Sequence, residues 1–132
     1  MLYYSTNHIS PKASFRQATI KGQAPDKGLY FPESIPSLPE DLIKHINQYT
    51  NEEIALAVIK PYIDKEINSA DLEKIVSETV NFEFPLVAVQ ENMYSLELFH
   101  GPTLAFKDVG ARFMSRCLGY FVRGEDKKIT VL

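Results

Sequence analysis

The sequence holds a single cysteine, Cys117, so no disulfide can close within it and no thiolate cluster can bind a metal. A reduced, cytoplasmic compartment is therefore expected. Tryptophan is absent, which leaves Tyr and Phe as the aromatic anchors of any core. No apolar run approaches the roughly 20 residues needed to cross a bilayer. The opening, "MLYYSTNHIS", has neither a charged start nor an apolar stretch, so no signal peptide is expected. Basic excess is also missing. The net charge is −3, and the only basic cluster, Arg123 with Lys127 and Lys128, is interrupted by Glu125 and Asp126 and reads as a solvated turn. This argues against a nucleic-acid binder. His8 and His45 have no partners at metal-ligand spacing.

What is present is an ordinary globular composition over 132 residues, a one-domain length. "LYYSTN" reads as a short strand. "PKASFRQATIKG" reads as a helix, with Ser14 as cap, Gln17 completing a capping box and Gly22 at the end. "QAPDKGLYFPESIPSLP" reads as a loop whose Tyr30 and Phe31 pack onto the rest of the fold. Three helical segments follow. Ser37 with Glu40 opens the first, near Pro39. Thr50 with Glu53 opens the second, which Pro61 stops. The third puts Leu72, Ile75, Val76 and Val80 on one face. "FPLVAVQENMYSLELFHG" is then two β-rich runs around Glu91-Asn92, a hairpin signal. A helix runs on to about Val122 with Gly124 as its C-cap, and "KKITVL" begins a strand. Helix followed by buried-type strand is half of a βαβ unit. Because that apolar run stops at Leu132, the chain is expected to be the front part of a longer protein.

The chemistry centres on "ELFHGPTLAFKDVGARFM". With Thr103 as N-cap, Leu104, Ala105 and Phe106 fill the first turn and Lys107 follows. A cation there opposes the helix dipole by about 0.3–1 kcal/mol if exposed. Apolar neighbours would dry part of its stem. Both effects favour the neutral amine, the form that condenses with an aldehyde. Gly110 and Ala111 leave room beside the lysine for a flat ligand. Asp108 is expected to point elsewhere, pairing with Arg112 four residues on. Cys117 lies on an apolar stripe with Phe113, Met114 and Phe121 and is expected in the core. Many helices carry a lysine near the start with its head in solvent, so the residues alone permit a functional amine without establishing one.

The run Phe99-His100-Gly101-Pro102-Thr103 through Ala105-Phe106-Lys107-Asp108 closely resembles the pyridoxal-phosphate lysine segment of threonine synthases, within the fold-type-II group. "YYSTNHISPKASFRQATIKGQAPDKGLYFPE" is similar to the N-terminal pattern of the same family, so the resemblance covers essentially the whole chain. Two departures stand out. Asn7-His8 replace an Arg-Gly pair common in the family, and Lys27 replaces a glycine.

The resemblance implies an α/β fold: an N-terminal strand-and-helix domain over residues 1–82, then the incomplete start of a three-layer pyridoxal-phosphate domain over 83–132. It implies pyridoxal 5'-phosphate as cofactor, held by Lys107 as a Schiff base. It implies O-phosphohomoserine as substrate, converted with water to threonine and phosphate. Phe106 lines the cofactor ring or belongs to the core. His100 and Thr103 are candidates at the substrate, His100 equally a structural residue of a Gly-Pro turn and Thr103 equally a plain cap. Two other readings stay open: a non-catalytic assembly piece with an unused lysine, and another fold-type-II lyase such as a threonine dehydratase, against which the N-terminal pattern argues.

Overall fold

A computed structural model describes residues 1–63 and 65–125. The expected strand at 129–132 and the basic turn residues Lys127 and Lys128 lie outside the described residues. The described chain is mixed α/β. In order it runs β1 (Tyr3–Ser5), α1 (Phe15–Lys21), β2 (Tyr30–Pro32), α2 (Glu40–Lys44), a 3₁₀ turn (Ile46–Gln48), α3 (Asn51–Ile63), α4 (Ser69–Thr79), β3 (Leu86–Gln90), β4 (Met93–Leu96) and α5 (Asp108–Phe121).

Helix starts follow their capping chemistry. Ser14 Oγ accepts from the Gln17 N–H, and the Gln17 side chain accepts from the Ser14 N–H, closing the expected box. Thr50 and Glu53 do the same at α3. At α4 the cap is Asn68, whose side chain accepts from the Asp71 N–H at 3.0 Å. Ser37 does not open α2. The helix starts after Pro39, which has no side-chain cap. A residue before proline is held out of the α region, so Leu38 could not serve as a first helical residue. Pro61 does not stop α3 either; it lies inside the helix, which runs on to Ile63.

The Gly- and Pro-rich segment expected as loop contains β2, which pairs antiparallel with β1 in the register Tyr3↔Pro32, Tyr4↔Phe31, Ser5↔Tyr30. Tyr30 packs beside the small cluster of Tyr3, Ala13 and Ala18. Phe31 does not reach the core and is 44% exposed. The hairpin at Glu91-Asn92 forms as expected, β3 on β4, with Asn92 at φ +57° in the turn.

The main core joins α4 to α5: Leu72, Ile75, Val76 and Val80 meet Cys117 and Phe121, with Ile63 and Ile67 beneath. Burial pushes the Cys117 thiol up to about 12. Two arginines fix α5 along the C-terminal end of α4. Arg112 donates to Asn81 Oδ1 at 2.8 Å and to the Glu78 carbonyl. Arg116 donates to Glu78 Oε2 at 2.5 Å. Cations at a helix C-terminus meet its unsatisfied carbonyls and the negative end of its dipole. The start of α5 is thereby set against a packed platform.

Candidate functional site

The segment leading to α5 is not the helical turn that its sequence suggests. Residues 101–107 form turns and bends, and the helix begins at Asp108. Lys107 is its N-cap residue, with the Lys107 carbonyl accepting the Ala111 N–H at 2.9 Å. Thr103 is not the cap. Its N–H donates to Asp108 Oδ2 at 2.9 Å and its hydroxyl donates to Asp108 Oδ1. Leu104 takes the left-handed conformation, φ +57°, which interrupts any helix beginning at Thr103. Asp108 suits the helix start because a carboxylate there complements the positive dipole end.

Asp108 also departs from expectation. It does not pair with Arg112, which is engaged on Asn81 and Glu78, and it is only 2% exposed. Gly101 lies directly against it. A Cβ added at Gly101 would fall 2.4 Å from Asp108 Oδ2, so only glycine fits.

Lys107 itself is exposed, as are Leu104, Ala105 and Phe106. The drying of its stem expected from the apolar neighbours does not occur among the described residues. Its Nζ lies 5.9 Å from the centre of the Phe106 ring. Phe106 is therefore no core residue; it stands 66% exposed beside the amine. The space over Gly110 is open, since a Cβ there would meet no atom within 4 Å. An apolar hollow of about 270 Å³ opens against this end of α5, lined by Val58, Ile59, Val76, Val80, Val109 and Phe113 among others, and presents no polar atom to an anion.

His100 Nε2 lies 2.6 Å from Glu97 Oε2, and its ring stacks on Phe99. The carboxylate was not anticipated as its partner, although a spacing of three was readable in the sequence. The structure thus brings Phe106 and Lys107 together, ties Thr103 to Asp108 and ties His100 to Glu97. Among the described residues, no group of three His, Cys, Asp or Glu could hold a metal, and no helix is long and apolar enough to cross a membrane.

Lys107 thus presents a primary amine in solvent beside the Phe106 ring, three residues before the open space at Gly110. A family model described as "Threonine synthase N terminus" matches residues 2–80. The threonine synthase of Haemophilus influenzae is 43% identical over 132 residues, all of this chain and 30% of that protein. That of Saccharomyces cerevisiae is 36% identical, over 99% of this chain and 29% of its own length. Among solved structures, a pyridoxal-phosphate-bound threonine synthase from Brucella melitensis superposes with a TM-score of 0.89 at 38% identity, over 97% of this chain and 29% of that one. The Escherichia coli threonine synthase gives 0.84 at 33% identity, over 92% and 28%. The chain therefore spans about 30% of the length of the curated relatives it matches. With its family model covering residues 2–80 and its likeness to relatives running its whole length, the chain belongs to the threonine synthase N-terminus family.

Proposed function

We propose that this chain is the N-terminal portion of a threonine synthase, a pyridoxal-phosphate lyase that converts O-phospho-L-homoserine and water to L-threonine and phosphate, and that Lys107 is its cofactor lysine. One observation carries the reading. Lys107 stands in solvent at the head of α5, at the end of the run Phe99 to Asp108, in a chain similar over its length to threonine synthases.

When bound, pyridoxal phosphate supplies the electron sink for charge developing at the substrate Cα. Lys107 Nζ would hold the cofactor aldehyde and then move a proton at the substrate Cα. Phe106, its ring 5.9 Å from that nitrogen, would line one side of the cofactor. The open space at Gly110 would leave room for a planar ring near the backbone. His100, paired with Glu97, and Thr103, bonded to Asp108, are the weaker candidates at the substrate.

In domain terms, residues 1–82 form the N-terminal unit and 83–132 open the catalytic domain. We also assign the protein to the cytoplasm, a reading supported by its one cysteine lying as a buried thiol.

Borohydride reduction in the presence of pyridoxal phosphate, followed by peptide mapping, tests the assignment. The pyridoxyl group is expected on Lys107. Its recovery on another lysine sinks the proposal, as does undiminished threonine formation by the complete enzyme carrying Lys107→Ala.

A further inference from the structure

We infer that Asp108 is the positioning residue for Lys107, its buried carboxylate clasping Thr103 and Gly101 so that the loop before the helix presents the neighbouring amine outward. The inference rests on Lys107 being the reacting amine and adds how the chain aims it.

The contrast in burial is the starting point. Pro102 to Lys107 are exposed without exception, yet the next residue is 2% exposed. A carboxylate enters a dry site only when its oxygens are hydrogen-bonded. Here the Thr103 N–H reaches Oδ2 at 2.9 Å and the Thr103 hydroxyl reaches Oδ1. Two backbone bonds close the same loop, Leu104 N–H to the Gly101 carbonyl at 3.0 Å and Asp108 N–H to the Ala105 carbonyl at 3.1 Å. Gly101 leaves no room for a side chain against the carboxylate.

An acid serving only the helix dipole could stand in solvent on this turn. It would need neither burial, nor both donors of Thr103, nor a glycine opposite. Arg112, the cation placed to neutralise it, is turned to α4 instead. Lys107 sits between two fixed points. Its carbonyl is held by the first helical bond from Ala111, and the residue after it is held by Thr103. The side chain therefore leaves the fold in a direction set by that clasp. Displacing a reacting group by about 1 Å is enough to cost a hundredfold in rate.

The test compares the wild-type protein with Asp108→Asn, Thr103→Val, Thr103→Ser and Gly101→Ala in two measurements. Amide hydrogen exchange at residue 103 is expected to accelerate about tenfold to a hundredfold in Asp108→Asn and Gly101→Ala, the loss of a charge-assisted bond, while amides of α4 and the body of α5 keep wild-type rates. Thr103→Ser should behave as wild type. Pyridoxal phosphate with borohydride then reports the amine. The share of adduct on Lys107, measured against the surface lysines Lys12 and Lys44, should fall several-fold in Asp108→Asn and Thr103→Val and recover in Thr103→Ser. An unchanged residue-103 amide in folded Asp108→Asn overturns the inference. So does a wild-type Lys107 share in variants whose loop exchange has risen. If Asp108→Asn does not fold, Thr103→Val decides. Absence of any adduct on wild-type Lys107 sinks the cofactor assignment instead, and the exchange data alone then decide whether Asp108 holds the loop.

Discussion

The Glu66 carboxylate accepts the backbone N–H of Phe15 at 2.8 Å, across 51 residues of sequence. The same group takes the Arg16 N–H at 3.0 Å and the Ser14 hydroxyl at 2.7 Å. One acid after α3 thus satisfies the free donors at the start of α1 and complements its dipole. It also anchors the N-terminal segment to the helical core, where Phe15 meets Phe121 edge-on at 5.9 Å. Glu66→Ala should cost about 1–2 kcal/mol, the upper part of the range for a lost cap. Denaturant unfolding of the two proteins measures it. Equal midpoints would show the carboxylate to be dispensable.

Asp26 organises the turn after β1. Its carboxylate accepts from Ser5 Oγ at 2.6 Å and from the N–H groups of Gly28, Ile9 and Ser10 at 3.0, 3.1 and 2.9 Å. The Ser5 hydroxyl first, helped by the three backbone donors against a partial desolvation, holds the acid well below the usual carboxylate range. A depressed folded value stabilises at pH above the unfolded one and loses that contribution as pH falls. Acidification from about pH 4 downward should therefore weaken the wild-type protein more steeply than Asp26→Asn, which starts less stable at neutral pH. Parallel acid profiles for the two would contradict this.

At the alkaline end the sign reverses. The Tyr3 hydroxyl donates to the Tyr62 carbonyl at 2.7 Å. Burial first, then the charges of Glu66 and Tyr62, push Tyr3 up to about 12. A raised folded value gives stability that is complete below the unfolded pKa, about 10, and is lost between there and about 12. Tyr3→Phe should cost about 1 kcal/mol at neutral pH through the lost hydrogen bond and should flatten the loss of stability above pH 10. Unfolding midpoints collected across that range provide the check.

These relationships mark where the sequence could be read and where it could not. The boxes at Ser14 and Thr50, the stripe of Leu72 to Val80, the turn at Asn92 and the burial of Cys117 depend on neighbours within a few residues. Spacing carries such information. Glu66 capping α1, Asp26 bonding Ser5 and β2 pairing with β1 join distant segments, and no local pattern announces them. The site was half legible. The motif singled out Lys107 and Phe106, but a periodic reading extended the helix back to Thr103. It missed that Asp108 is the stronger partner for that helix start, and that a left-handed Leu104 breaks the period.

Exposure separates two leucines that the sequence treats alike. Leu72 lies on α4 at 2% exposure within the α4–α5 core, and Leu86 lies on β3 at 65%. Truncating a buried leucine removes its transfer free energy and leaves a cavity, together about 2–5 kcal/mol. Truncating one already in water removes almost no packing, within about 0.5 kcal/mol. Leu72→Ala should therefore unfold at markedly lower denaturant than Leu86→Ala, whose midpoint should match wild type. A large loss in Leu86→Ala would mean that the hairpin is covered in the protein as measured. Because α5 packs on Leu72's helix, Leu72→Ala should also loosen the platform beneath Lys107. Hydrogen exchange along Asp108–Phe121 should rise with it, and protection left intact there would separate the stability of α4 from that of the site.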